Sequence, residues 1–441
     1  MAKVNFALLN DLVQAITRPD RRGSARGAVT AQTLHSRPAA ERLEAACDVL
    51  MGQIGDAARI AVAEQALAAY AELDPAGRRA FFGRLRDQFG ADPAPIRDAF
   101  ATWDADPSAG NLVPLFNAVE PRRQALLRRL NMASGATLRL VRMRADLLGA
   151  MREDAALAPV DADFAHLLGS WFNRGFLRLE RLDWTTSAAV LEKIIGYETV
   201  HLMRDWPDLR RRLDPTDRRF FAFFHPATGN EPLIFVAVAL MRSIPSEIAP
   251  ILNDRPAITA DEADTAVFYS INNTLAGLHG VSFGNFLIKQ VVRELAAELP
   301  GLKTFVTLSP APGFAAWLAS GEVPRGAALL AELDEADWRH DPAAIARLRP
   351  EVEALAALYF TQARNPRGAP RDPVARFHLG NGAVAWRVNW PADLSEGAVG
   401  RARGVMINYL YDPAKIETQH EAFMRDGTVA IGAPLAAILS R

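Results

Sequence analysis

The chain has 441 residues, 50% of them hydrophobic and 23% charged, enough for two or three domains of roughly 100–200 residues, each with its own core. Its 50 basic and 51 acidic residues give a net charge of −1, so no general field draws in nucleic acid or an anionic membrane, and a bound polyanion needs a local site. The single cysteine, Cys47, excludes an internal disulfide and cysteine-built zinc or iron–sulfur centres. No apolar run approaches the roughly 18 residues of a membrane span.

The segment 1–17 is amphipathic, with Lys3 and Asp11, and lacks the charged start, long apolar stretch and cleavage site of a secretory signal. Leu439-Ser440-Arg441 is not the peroxisomal Ser-Lys-Leu address. A cytoplasmic protein is expected. As far as Leu182 the apolar spacing is helical. Over 57–73, Ile60, Ala63, Leu67 and Tyr70 share one face while Glu64 and Glu72 lie off it. Asp74-Pro75 ends that helix, and Pro75 suits the first turn of the next. Further helices are expected over 78–89, 94–103, 112–131, 138–152 and 162–176. Cys47, beside Ala45 and Ala46, reads as core packing. Residues 1–184 are thus an all-helical bundle.

After Trp184 the pattern changes. Thr186-Ser187 marks a helix start before 188–195. Beyond Asp214-Pro215, β-rich runs follow at 220–224, 233–240, 266–271 and 304–308, with a helix over 285–298 between the last two. Strand, glycine-containing loop, helix and strand form an α/β unit. Residues 327–363 are helical again, and 383–389 and 405–411 are β-like. Residues 185–441 read as an α/β domain.

Three constellations could carry chemistry. Gly277-Leu-His-Gly280-Val-Ser-Phe-Gly284 stands at a strand-to-helix turn, where glycines permit close backbone approach and a helix N-terminus favours phosphate. It is neither a Walker loop nor a Rossmann fingerprint, and a purely structural turn has the same spacing. Ser309 lies in Leu308-Ser-Pro-Ala-Pro312-Gly313-Phe314, at the carboxyl end of a strand where α/β sheets bind ligands. It could equally cap the next helix, and it is no Gly-x-Ser-x-Gly elbow. His378 precedes Asn381-Gly382, a hairpin-turn signal that puts His378 near a strand end. None of the 8 histidines has a metal-binding spacing. Tyr409 and Tyr411, two apart on a strand, point to one face. Tyr197-Glu198-Thr-Val-His201 with Trp206, and His225-Pro226 with Glu231-Pro-Leu, read as turns and packing. Arg210-Arg211-Arg212 and Arg218-Arg219 could meet phosphates, and read first as solvated faces.

In order along the chain, Phe268-Tyr-Ser270-Ile, Gly277-Leu-x-Gly280-Val-x-x-Gly284-x-Phe-Leu-Ile-Lys289, Leu308-Ser-Pro-x-Pro-Gly-Phe-x-x-Trp317, Phe377-His-Leu-x-Asn-Gly-Ala-Val-x-Trp-Arg and Asn408-Tyr-x-Tyr411 resemble the malonyl-CoA decarboxylase family. His225-Pro and Glu231-Pro-Leu belong to the same set. The resemblance implies a helical oligomerisation domain, 1–184, and a GNAT-type acyltransferase-like catalytic domain, 185–441. It further implies a CoA pyrophosphate loop formed by His279, Gly280, Val281, Ser282, Phe283, Gly284 and Asn285. Its catalytic serine falls on Ser309 and its histidine on His378, while Ser270 and Tyr411 match further active-site positions. Ser282 stands where a relative can have Glu, so that position receives no catalytic role. Gly277 replaces the Gln/Arg that opens the usual GNAT consensus. A homotetramer is implied, in some relatives with intersubunit disulfides, for which this chain has only Cys47.

The implied reaction converts malonyl-CoA to acetyl-CoA and CO2, within fatty acid metabolism. It passes through a thioester enolate, whose charge preorganised donors stabilise. His378 suits proton donation and Ser309 the orientation of carboxylate or thioester. The CoA thioester is substrate, and neither metal nor organic cofactor is called for. Two alternatives use the same features: a CoA-dependent N-acyltransferase and an inert acyl-CoA-binding scaffold.

Overall fold

In the computed structural model, the described residues are 37–253, 256–281, 286–335 and 338–440. They form two compact units. Among the described residues, the first comprises 37–173 with 226–229 and 275–281, and the second comprises the rest, from Arg174 onward.

The first unit is built from helices α1 (Ala39–Met51), α2 (Asp56–Ala71), α3 (Pro75–Gln88), α4 (Pro93–Ala105), α5 (Ala109–Val119), α6 (Arg122–Leu130), α7 (Ala136–Ala150) and α8 (Ala158–Trp171). Local chemistry sets several starts. Asp74 and Asp92 each precede a proline and accept a backbone N–H from Gly77 and Ala94, and Ser108 accepts from Asn111. The single helix anticipated over 112–131 is two, because Pro121 can neither donate a backbone hydrogen bond nor let Glu120 stay helical. Leu50, Phe82, Leu126, Leu140, Leu147, Val160 and Leu168 are fully buried, as is Cys47, whose thiol burial pushes up to about 12. Helices α4 and α5 pack on each other and bury no residue completely.

The second unit holds strands β1 (Arg178–Leu182), β2 (Arg218–Phe224), β3 (Pro232–Met241), β4 (Thr265–Asn273), β5 (Thr304–Thr307), β6 (Ser309–Pro310), β7 (Val384–Asn389) and β8 (Met406–Tyr411). Their order is β1-β2-β3-β4-β5-β8-β6, with β7 paired to β8. Every pairing is antiparallel except β4–β5. These two are joined through α9 (Phe286–Glu298), a strand–helix–strand unit of the kind expected from the sequence. β1 falls where helical character was expected, and it counts with this unit although it precedes Trp184.

Two features of the sheet prepare the site. The β3–β4 register jumps from Ala237↔Ser270 to Val238↔Phe268, leaving Tyr269 as an extra, bulged residue. The last β4–β5 pair is Phe268↔Thr307. Beyond it β4 continues to Asn273, whereas the other chain turns to pair Ser309 with Ile407 of β8. The sheet parts at that point.

His378 sits on α10 (Pro373–Gly380), not at a strand end. Asn381-Gly382 does supply a positive φ, 80° at Gly382, but as the stop of a helix. Asp372-Pro373 starts that helix by accepting the Ala375 N–H, so the same dipeptide ends a helical turn instead of joining two strands. A Cβ at position 382 would lie 2.1 Å from the Ile416 carbonyl, which requires glycine there. Among the described residues no helix is long and apolar enough to cross a membrane.

Candidate active site

Where the sheet parts, a cavity of about 230 Å³ opens within the second unit. Val200, Phe268, Ile271, Pro310, Val374 and Phe377 give it a mainly apolar wall, and Asn273, Ser309 and His378 are its polar points. Ser309 is held at the cavity by its strand pairing with β8, and His378 by the last turn of α10.

Ser309 Oγ donates to Thr307 Oγ1 at 2.9 Å and stands 3.1 Å from His378 Nε2. His378 Nδ1 in turn lies 2.8 Å from Tyr411 Oη. Tyr409 stacks on the imidazole with centroids 4.6 Å apart, so both tyrosines of β8 do face one way, onto the histidine. All of these side chains are buried. Thr307 Oγ1 also accepts the Tyr409 N–H, and the Asn408 amide donates to the Thr307 carbonyl. Burial pushes His378 down to about 3 and Tyr411 up, because removal from water penalises the imidazolium and the phenolate alike. The resting chain Thr307–Ser309–His378–Tyr411 is therefore neutral. Its hydroxyls and its two-tautomer ring can pass a proton along it.

Ser270 lies apart from that chain. Its hydroxyl donates to Glu198 Oε2 at 2.6 Å and accepts from the Asn272 amide at 2.8 Å. Glu198, also buried, takes three further donors on Oε1, the backbone N–H groups of Val200 and His201 and the Asn272 amide. His201 Nε2 meets the carbonyl of the bulged Tyr269 at 3.1 Å, and burial pushes this histidine down as well. The sequence gives no role to Glu198 and Asn272, which hold Ser270 in place. The only sequence signal was the acidic residue inside Tyr197-Glu198-Thr-Val-His201, which reads locally as a turn. The arginine runs are not solvated throughout either. Arg212 holds the His201 carbonyl at 2.6 Å, Arg218 pairs with Asp217 at 2.8 Å, and Arg219 pairs with Glu298.

Of the proposed CoA loop, His279, Gly280 and Val281 are described. Ser282, Phe283, Gly284 and Asn285 lie outside the described residues. The described part belongs to the first unit. Arg144 of α7, buried and paired with Asp161, donates to the Gly277 carbonyl at 2.8 Å and the His279 carbonyl at 2.9 Å. A Cβ on Gly277 would stand 1.8 Å from the Val141 carbonyl, so the turn lies directly on the helix backbone. Gly280 has φ +76°.

A family model described as the malonyl-CoA decarboxylase C-terminal domain matches residues 175–441, and one for the N-terminal domain matches 89–172. The chain belongs to the malonyl-CoA decarboxylase family. It is 34% identical over 384 residues to the mitochondrial malonyl-CoA decarboxylase of Anser anser anser, covering 78% of this chain and 76% of the relative. The crystal structure of malonyl-CoA decarboxylase from Rhodopseudomonas palustris is 48% identical with a TM-score of 0.87, over 91% of this chain and 99% of that one. The corresponding structure from Agrobacterium vitis is also 48% identical, with a TM-score of 0.86, over 90% and 100%. The arrangement sets hydrogen-bonding groups at one end of a cavity whose remaining wall solvates charge poorly.

Proposed function

We propose that this chain decarboxylates malonyl-CoA to acetyl-CoA and CO2, with Ser309 and His378 at the reacting centre. The observation that carries the reading is the Ser309–His378–Tyr411 chain at the polar end of the apolar cavity. Cleavage leaves a thioester enolate, and the Ser309 hydroxyl donates to the thioester oxygen on which that charge develops. The carboxylate leaves as CO2 from apolar surroundings that stabilise the neutral product better than the ion.

The net reaction consumes one proton, which must reach the enolate carbon. Burial keeps His378 neutral. A bound malonyl carboxylate supplies the negative charge that draws its pKa back up, so His378 takes a proton with the substrate and gives it to carbon after CO2 departs. The thioester is itself the electron sink, so the reading asks for no cofactor. The glycine loop 279–285 takes the CoA pyrophosphate, supported by the positive φ of Gly280 and by the helix that follows.

Incubation with malonyl-CoA tests the function. Equal amounts of acetyl-CoA and CO2, without an amine acceptor, support it. Acceptor-dependent release of free CoA supports an N-acyltransferase, and binding without turnover a scaffold. Ser309→Ala and His378→Asn should each cut kcat at least about tenfold in folded protein. A cytoplasmic location, tested by fractionation, and a role in fatty acid metabolism accompany this reading.

A homotetramer formed through the helical unit is the second part of the proposal. It is supported by the exposed Phe100, Leu112, Val113, Phe116 and Val119 on α4 and α5, Phe116 being 71% accessible. Light scattering on Phe116→Glu should show a smaller assembly, and an unchanged mass would remove α5 from the interface.

A further inference from the structure

Ser309 and His378 arrive at 3.1 Å from elements 69 residues apart. Ser309 is followed by Pro310-Ala311-Pro312-Gly313, which leads into the helix Phe314–Ala319. His378 depends on the helix begun by Asp372. Tyr359, on the helix Pro342–Thr361, stands between the two. Its hydroxyl donates to Asp372 Oδ2 at 3.0 Å, and a Cβ added to Gly313 would lie 2.5 Å from the Tyr359 hydroxyl oxygen. Asp372 Oδ1 accepts the Ala375 N–H at 2.8 Å in the first turn of the His378 helix. Phe314, Trp317 and Phe360 pack around the Tyr359 ring at 5.2 to 5.5 Å, which leaves the phenol little room to swing aside. Asp372 is completely buried. Its negative charge also bears on Tyr409, the ring stacked on His378.

We propose that Tyr359 and Asp372 are positioning residues that set the Ser309–His378 separation, tying the loop after Ser309 to the first turn of the helix that carries His378. This rests on the reading of Ser309 and His378 as the reacting pair. A buried Tyr–Asp pair can also be simple core structure, but a strut has a different kinetic signature. Displacing reacting groups by about 1 Å costs up to about a hundredfold in rate without needing to weaken binding. Loss of packing alone lowers the folded fraction and leaves the folded molecules normal.

The test is steady-state kinetics, corrected for active folded protein, on Tyr359→Phe, Gly313→Ala, their combination and Asp372→Asn. Tyr359→Phe keeps the ring and should lower kcat about tenfold, with KM within about twofold. Gly313→Ala introduces a methyl group where the hydroxyl stands and should lower kcat similarly. In the Tyr359→Phe background the obstruction is gone, so adding Gly313→Ala should cost less than about twofold more. Asn keeps an oxygen for the Ala375 N–H and can donate its amide to the Tyr359 oxygen where Asp372 accepts from it, so Asp372→Asn should retain most of kcat. Wild-type kcat per folded molecule in both single variants overturns the proposal, as does full additivity in the double variant. If these variants are normal while Ser309→Ala and His378→Asn are inactive, only the strut is wrong. If Ser309→Ala and His378→Asn are themselves active, the underlying reading fails.

Discussion

Tyr411 holds the imidazole of His378 by its Nδ1 atom, at 2.8 Å, on the side of the ring away from Ser309. The phenol can donate to a bare Nδ1 or accept from a protonated one, so it fixes the orientation of the ring in either tautomer. Tyr411→Phe leaves Nδ1 without that partner and frees the ring to turn. We expect kcat to fall about ten- to a hundredfold with KM changed less than about threefold. A variant with normal kcat would show that Nδ1 needs no partner for turnover.

The second prediction concerns protons taken up on binding. His378 starts with a pKa pushed down to about 3, so it is unprotonated at pH 8. A bound carboxylate shifts it upward. A non-decarboxylating thioether analogue of malonyl-CoA should then take up as much as about one proton per site, and its affinity should weaken with rising pH by at most about tenfold per unit. Calorimetry in buffers of different ionisation enthalpy reads the proton number. Equal uptake by wild type and His378→Asn would remove His378 from this role.

Acid should also unfold the protein earlier because of this residue. A histidine depressed from 6.5 to about 3 binds fewer protons folded than unfolded between those values. Stability is thus unaffected above about pH 6.5 and declines as pH falls through the window toward 3, by as much as 4–5 kcal/mol in order of magnitude. His201 acts in the same direction. His378→Asn should flatten the decline between pH 6.5 and 4.5, as measured by urea unfolding at several pH values. Parallel curves for the two proteins would contradict this.

Glu198 accepts from Ser270, from Asn272 and from two backbone N–H groups. Glu198→Ala leaves these buried donors unmatched and should destabilise by about 3 kcal/mol or more. Ser270→Ala removes one donor to Glu198 and one of two acceptors of the Asn272 amide, leaves the other donors to Glu198 in place, and should cost about 1–2 kcal/mol. Denaturant titration ranks the two, and a reversed order would mean that the carboxylate is not what organises this cluster.

Gly277 and Gly149 give a matched pair in the helical unit. Gly277→Ala places a methyl group against the Val141 carbonyl, whereas nothing lies within 4 Å of a Cβ at Gly149. The first should cost about 2–4 kcal/mol, and the second should be neutral or stabilise by up to about 1 kcal/mol. Thermal unfolding separates them by sign.

Much of the fold was legible because its signals are local. The β-rich runs at 220–224, 233–240 and 266–271 are strands, and the glycine turn does separate a strand from a helix. Ambiguous local chemistry misled where one dipeptide serves two structures. Asn381-Gly382 offers a positive φ to a hairpin or to a helix end, and only Asp372-Pro373, upstream, shows which. The meeting of Ser309 with His378 rested on family resemblance, since no periodicity relates residues 69 apart. Glu198 was harder still. Its role depends on Ser270 and Asn272, 72 and 74 residues later, arriving on one strand. Of the buried arginines in the two runs, Arg219 has a distant acidic partner, Glu298, whereas Arg218 pairs with its neighbour Asp217 and its burial comes from the strand it lies on.

Arg144 and the two carbonyls it holds also bear on how this protein can be divided. Residues 275–281 and 226–229 count with the helical unit, yet both lie inside the stretch matched by the C-terminal family model. The boundary drawn along the polypeptide and the boundary drawn through space are therefore different lines. A fragment beginning at 174 would keep the glycine turn but lose the guanidinium that fastens it, and the complementary fragment would keep a buried cation with only Asp161 to answer it. A cut between 173 and 174 would thus part a packed turn from the helix beneath it, although both halves of the sequence look whole.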